Sequence, residues 1–234
     1  MKKIKWFFLP LIIIACSGGL EKVVVDTFID GVPKHEKYYK VEGRDSLLVQ
    51  EVYYYQDHTK RMEGLYPDDG VNISTWTYWY ENGKKNYEIE LLKGKPVGDF
   101  QVWDIEGNLL PVSEYSIMGF DNGFPKIMRF FRMEEGKKVL IWEIHYYENR
   151  SKRAEGPVKQ GKKYGKWVAW FDDGVKWSEG TFKYEVSHGK RTVWHDNGQK
   201  YYEGEYFFGD RTGIWQFWNA EGDFMKEIDY SKKK

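Results

Sequence analysis

Residues 165–182 read GKWVAWFDDGVKWSEGTF: an aromatic run, an Asp173-Gly174 turn, and a second run closed by Glu179-Gly180 and an aromatic. Rings and β-branched side chains suit a pleated, half-buried surface, and Asp-Gly tolerates the positive φ that tight hairpin loops demand. The stretch therefore predicts a β-hairpin with strands of about five residues. Working outward from Gly174, the same layout returns at Gly83, Gly107, Gly198 and Gly222, separated by 24, 67, 24 and 24 residues in chain order. Two further copies have lost the glycine and centre on His58 (YYQDHTKRMEG) and Arg150 (YYENRSKRAEG). Self-similarity at a fixed period is the signature of a repeat architecture.

With those copies included, one interval is 43 residues instead of 24 or 25. It has its own pattern, because residues 30–58 align with residues 122–150 at a constant offset of 92, matching Gly31-x-Pro33-Lys34 to Gly123-x-Pro125-Lys126. An older duplication is implied, in which each half opens with a longer hairpin and continues in 24-residue units. The expected division is 1–15 leader, 16–20 tether, 21–112 first half and 113–234 second half. The links Lys93-Gly94-Lys95, Gly161-Lys162-Lys163 and Gly189-Lys190 are expected to reverse the chain between hairpins. Consecutive hairpins then add side by side to one growing, elongated, curved or twisted antiparallel sheet, and the fold class is all-β.

Alternation assigns faces. Four residues before each anchor stand Tyr54, Trp79, Trp103, Tyr146, Trp170, Trp194 and Trp218. They should form a ladder with a pitch of about 9 to 10 Å, two strand spacings per repeat. Trp76, Tyr78, Trp167, Ala169, Trp215 and Phe217 fall on the opposite face. Glycine inside a strand offers nothing to pack, so the recurring Gly64, Gly156, Gly180 and Gly204 call for close approach by a neighbour. The expectation is that each makes room for a ladder ring, and that Gly180→Val is strongly destabilising.

Composition agrees with many short strands: 18% of residues are aromatic, with 24 Gly and only 7 Pro. Equal numbers of basic and acidic residues, 36 each, give no global drive toward nucleic acid or an anionic surface. The only cysteine, Cys16, excludes an intrachain disulfide.

That cysteine closes a leader with Lys2, Lys3 and Lys5 at its start, an apolar run over residues 6–14, and Ala15. The order of charge, apolar run and small residue is that of a secretory signal, too short to span a bilayer permanently. Ile13-Ile14-Ala15-Cys16 resembles the bacterial lipobox, which implies cleavage before Cys16 and its lipidation. Acyl chains contribute about 0.8 kcal/mol per buried methylene, enough with two or three chains for firm anchoring. Loss of the leader lysines leaves a formal charge of −3, and Ser17-Gly18-Gly19 reads as a tether. Ser17, in place of an inner-membrane retention Asp, leans toward the outer membrane.

The search for catalytic chemistry ends in structural readings. His35, His58, His145, His188 and His195 lack the tight spacing of a zinc site. Glu63, Glu155, Glu179 and Glu203 recur once per repeat, whereas acid–base catalysis uses two carboxylates in unlike environments. Asp68-Asp69-Gly70 and Asp172-Asp173-Gly174 suit turns and lack the remaining ligands of a calcium loop. No phosphate loop, nucleophile elbow or dinucleotide fingerprint is present. Lysines interleaved with aromatics suit stacking on glycan or single-stranded nucleic acid, but residues fixed by the repeat are more simply core. Lys232, Lys233 and Lys234 form a solvated tail.

The layout W-x-x-W-[YF]-x-[ND]-G, then Glu-Gly and an aromatic, then Gly-Lys, resembles the bacterial MORN-repeat variant of the YwqK-like family, whose members are often labelled antitoxins. The matching stretches are residues 76–83, 167–182, 190–206 and 213–222. The resemblance implies stacked hairpins and little about activity. The expectation is a non-catalytic envelope lipoprotein without a cofactor, bound to the membrane through its lipid and scaffolding a protein or cell-surface polymer, with no nucleic-acid partner. An antitoxin or immunity-type partner of a toxin is the alternative. Function is expected where the copies differ.

Overall fold

The protein is described by a computed structural model over residues 19–28, 30–67, 73–93, 95–121 and 125–231. The leader with Cys16, the Asp68-Asp69-Gly70 turn, Gly94, Asn122 and Gly123, and the terminal lysines lie outside the described residues. Seventeen named strands form two antiparallel sheets, within each of which strands consecutive in the chain pair side by side. The first holds β1 (Leu20–Thr27), β2 (Pro33–Glu42), β3 (Asp45–Tyr54), β4 (Lys60–Leu65), β5 (Ile73–Trp79), β6 (Lys85–Leu92) and β7 (Lys95–Val102). The second holds β8 (Glu114–Gly119), β9 (Pro125–Glu134), β10 (Lys137–Tyr146), β11 (Lys152–Lys159), β12 (Lys162–Trp170), β13 (Lys176–Lys183), β14 (Val186–Trp194), β15 (Lys200–Phe207), β16 (Asp210–Trp218) and β17 (Phe224–Asp229). Neither sheet closes into a barrel, because the end strands of each pair on one side only.

Two sheets replace the single continuous one expected, and the ladder divides with them. The chain separates into two compact units between Leu110 and Pro111. The Gly107 turn forms, but its return strand shrinks to one bridge, Trp103 to Leu109, and a bond from the Leu110 amide to the Val102 carbonyl. Proline has no amide hydrogen to continue a ladder, so pairing stops at Pro111. The duplication persists in detail. Strands β9 and β10 lie 92 residues after β2 and β3, and both pairs carry the same register break, at Tyr38/Tyr39 and at Phe130/Phe131.

Eight loops among the described residues share one geometry. In each, a strand-end amide donates to the carbonyl four residues on (Tyr80 to Lys84, 2.9 Å), and the anchor amide donates back (Gly83 to Tyr80, 3.0 Å). Such a three-residue loop places its third residue in the left-handed region. His58 (φ 66°) and Arg150 (φ 73°) take that conformation like the glycines of the other copies. On the far side of the sheets most links are two-residue turns, including Gln160-Gly161, Phe208-Gly209 and the glycine-free Tyr184-Glu185, whereas β4 and β5 are joined by the longer stretch 66–72. Gly189-Lys190 is not a link: both residues lie inside β14, where Gly189 (φ 94°) belongs to a series with Gly98, Gly165 and Gly213. These glycines sit where two extra residues bulge out of the first strand of a repeat, as between Gly180↔Arg191 and Phe182↔Ser187.

A second bulge recurs on the return strands. Ala169 pairs Ser178 and Trp170 pairs Lys176, leaving Trp177 unpaired. The same register skip falls at Arg61, Asn86, Arg153, Tyr201 and Met225, each three residues after its anchor.

The recurring glycines do accommodate rings, but not the ladder rings. A Cβ on Gly64, Gly156 or Gly204 would lie 2.6, 2.5 or 2.3 Å from the rings of Trp76, Trp167 and Trp215, on the opposite face. Alternation explains this, because Gly64 pairs Trp76 directly across the ladder. At Gly180 the neighbour is the Arg191 side chain at 3.1 Å, so the strong effect expected there transfers to the other three glycines.

Candidate functional site

The framework residues come first, since they decide what is left for function. Ladder tryptophans Trp79, Trp103, Trp170, Trp194 and Trp218 each lie under the lysine that begins the preceding return strand. Lys60, Lys85, Lys152, Lys176 and Lys200 place Nζ 5.1 to 5.3 Å from those ring centroids. The same lysines reach a glutamate three residues on: Glu63 at 2.8 Å, Glu88 at 2.9 Å, Glu155 at 3.1 Å, Glu179 at 3.7 Å and Glu203 at 3.2 Å. A Trp–Lys–Glu unit is thus repeated across each sheet, each cation–π contact contributing about 0.5–2 kcal/mol. Glutamates that resembled paired catalytic groups are fixed partners: Glu203 also takes Lys190 at 3.0 Å and the Thr192 hydroxyl at 3.1 Å. Where no ring follows, the lysine is missing, and Leu109 and Phe224 stand in its place.

Neighbouring turns are stitched together as well. The hydroxyls of Tyr55, Tyr80 and Tyr147 donate to the carbonyls of Trp79, Trp103 and Trp170 at 2.8, 2.8 and 3.0 Å. Side-chain amides of Asn82, Asn149 and Asn197 donate to Ile105, Asp172 and Ala220 carbonyls. The anchors Gly83, Gly107, Gly174, Gly198 and Gly222 all have positive φ, so this row of turns is a regular margin of the sheets.

Three carboxylate centres, buried at Glu36 and Glu51 and half-buried at Glu143, belong to the longer opening hairpins. Glu51 receives Lys37 Nζ at 3.0 Å and the Tyr53 hydroxyl at 3.2 Å, with His35 Nε2 at 3.7 Å. The His35 side chain facing the carboxylate chiefly, together with Lys37, outweighs burial and holds the Glu51 carboxyl down at about 2. Glu143 is its counterpart, held low by His145 at 3.0 Å and Arg129 at 2.7 Å against the opposing effect of burial. Burial tends to raise Glu36, but Lys22 (2.8 Å), Tyr38 (2.6 Å) and Tyr54 (2.8 Å) overcome it and keep the carboxyl low. Desolvation and that carboxylate push Tyr38 up to about 12. Among the described residues no group of three His, Cys, Asp or Glu side chains is placed to hold a metal.

One set of large, exposed side chains stands at the bulges of the second sheet. Trp177, Tyr201 and Met225, at successive bulges of β13, β15 and β17, are 44, 46 and 61% exposed. They are spaced by two strands, about 9.5 Å. Trp177 packs against Phe171 (6.3 Å between centroids) and Tyr201 against His195 (4.8 Å), the first residues of their own turns. In the preceding copy Arg153 lies over Tyr147 at 5.7 Å. The sequence carries a signal here: the third residue after the anchor is Arg61, Asn86, Arg153, Trp177, Tyr201 or Met225, varying directly after a position that is lysine in the first five of these copies. Only pairing reveals that it leaves the ladder.

Comparison with known proteins identifies no family. No protein-family model matches the chain, and no curated protein matches it. Among solved structures, "Crystal Structure of TcdB2-TccC3-TEV" is similar over 88% of this chain and 11% of its own, at 8% identity and a TM-score of 0.20. "Crystal Structure of TcdB2-TccC3" is similar over 91% and 15%, at 8% identity and a TM-score of 0.19. A protein with unknown function from Bacteroides fragilis NCTC 9343 aligns over 92% and 97%, at 8% identity and a TM-score of 0.13. The chain spans less than a sixth of the length of the first two.

Proposed function

We propose that the chain is a non-catalytic, MORN-like envelope lipoprotein whose repeat sheets serve as a scaffold for a partner. The carrying observation is the exposed row Trp177, Tyr201 and Met225, standing at the bulges of β13, β15 and β17, where the residue drops out of the pairing with the preceding strand. Large apolar side chains exposed in register are a recognised mark of an interaction surface. The address rests on the leader and on Cys16, with Ser17 favouring the outer membrane. The partner is a protein or a cell-surface polymer. Nucleic acid is disfavoured by the formal charge of −3 after loss of the leader.

The test places a photo-crosslinker at position 201 or position 45 of the full-length chain in cells, followed by membrane fractionation and palmitate labelling. The reading requires a membrane-bound protein that loses its label on Cys16→Ala, and a discrete product from position 201 that is absent from position 45. A soluble unlabelled chain removes the address; identical products from both positions remove the scaffold.

A further inference from the structure

The exposed rings have acidic neighbours. Glu148, Asp172 and Asp196 occupy the same turn position, two residues before the anchor, in three consecutive hairpins. All three are exposed, and no hydrogen bond or ion pair from the described residues holds their carboxylates. Each directly follows the residue on which the bulge side chain packs, namely Tyr147, Phe171 and His195. The four three-residue loops of β10–β11, β12–β13, β14–β15 and β16–β17 carry Glu148, Asp172, Asp173, Asp196 and Glu221 against Arg150 alone. A carboxylate and an aromatic side chain therefore recur together along this margin at a pitch of about 9.5 Å.

We propose that this margin, from Glu148 to Tyr201, binds an extended cationic segment of a protein partner in which Lys or Arg stands at every third residue. The proposal rests on the scaffold reading and names the chemistry of its partner. Lysine and arginine carry an apolar stem and a charged end, so one side chain lies along a ring while its charge reaches the adjacent carboxylate. The protein supplies its own example: the Arg153 guanidinium lies over Tyr147 in the copy where no exposed ring replaces it. Asp172 with Trp177 and Asp196 with Tyr201 offer the same pairing with the cation left to be supplied. Polyproline II geometry has three residues per turn at about 3.1 Å each, a repeat of about 9.3 Å, which matches the pitch of the margin. Charge decides among ligands. A neutral glycan would stack on the rings while leaving the carboxylates unpaired, and a polyphosphate backbone would be repelled by them.

Fluorescence anisotropy tests this with the full-length chain in detergent and a labelled peptide of four Pro-Pro-Lys units. The comparison peptide has the same composition with its lysines contiguous. The spaced peptide should bind about 10-fold tighter than the contiguous one, weakening as salt rises. Asp172→Asn with Asp196→Asn, and separately Trp177→Ala with Tyr201→Ala, should each weaken it by about 10-fold. Asp45→Asn, in the other sheet, should change nothing, and circular dichroism should stay constant because the substituted residues are exposed. Equal affinity for both peptides, or indifference to either pair of substitutions, overturns the proposal. So does binding of a cello- or chito-oligosaccharide that requires Trp177 and Tyr201 but not the two aspartates, since the row would then be a sugar platform. A crosslinked partner from position 201 that survives both pairs of substitutions keeps the scaffold and eliminates this mode of recognition.

Discussion

Substituting Gly204 by alanine separates steric design from glycine propensity. The new Cβ would lie 2.3 to 2.6 Å from three ring atoms of Trp215, about 1 Å inside ordinary contact. The ring has nowhere to retreat: Trp215 is 0% exposed, Tyr202 and Tyr206 lie at 5.3 and 4.9 Å, and its indole N–H donates to the Glu205 carbonyl at 3.1 Å. Overpacking costs about 1–3 kcal/mol and a weakened buried hydrogen bond about 1 kcal/mol, while the lower chain entropy of alanine returns about 0.4–1 kcal/mol. A net destabilisation of about 2–3 kcal/mol follows. Gly180→Ala meets only the flexible Arg191 chain at 3.1 Å and should lie within about 0.5 kcal/mol of wild type. Native-state hydrogen exchange of β15 and β16 reads the local free energy even if the sheet unfolds in parts. Trp215→Arg, which installs the side chain found opposite Gly180, should abolish the extra cost of Gly204→Ala in a double-mutant cycle. Equal effects at Gly204 and Gly180, or a cost that persists beside Arg at position 215, would refute the steric reasoning.

Three further outcomes follow from the framework. Lys152→Met leaves Glu155, 1% exposed, without its lysine, and should cost about 3 kcal/mol in urea denaturation, whereas Lys200→Met beside the more accessible Glu203 should cost about 1 kcal/mol or less. His58→Gly and Arg150→Gly relieve left-handed backbone in exposed turns and should each raise stability by about 0.5–1 kcal/mol, read as an upward shift in melting temperature. The Glu51 carboxyl is depressed to about 2, so its stabilising contribution is complete above its ordinary value of 4.5 and is lost as pH falls from there through 2. Acid titration of unfolding should therefore show a loss of at most about 3 kcal/mol across that window, absent from Glu51→Gln.

Much of the fold was legible because repetition averages out local ambiguity. Gly83, Gly174 and Gly198 mark loops of one kind, and Tyr54 through Trp218 mark one ladder position, so each copy corroborates the rest. Periodicity could not reveal departures from simple pairing. The skip at Trp177 costs one residue of register, a difference invisible to alternation counted along a single strand. The glycine–tryptophan contacts were assigned to the wrong face because Gly64 was matched to a ladder ring, while its direct cross-strand neighbour is Trp76. Gly189 looked like a link because Gly-Lys recurs in true links, yet the chain turns five residues earlier at Tyr184-Glu185, a pair with no glycine to betray it. The carboxylate centres at Glu51 and Glu143 draw on partners from neighbouring strands, brought together by pairing that sequence spacing alone does not display. Of the acidic margin only Asp172-Asp173 stands out in the sequence, as turn chemistry, since the relation of the margin to the exposed rings depends on the bulge.

The central claim is that repeat residues build the sheet while the bulge positions of β13, β15 and β17 are left exposed for recognition. Trp170 and Trp177 test it within one hairpin, being 4% and 44% exposed. Urea denaturation of Trp170→Ser and Trp177→Ser is the direct measurement. The account predicts a loss of about 3–5 kcal/mol for the first and less than about 0.5 kcal/mol for the second; comparable losses at both positions would contradict it.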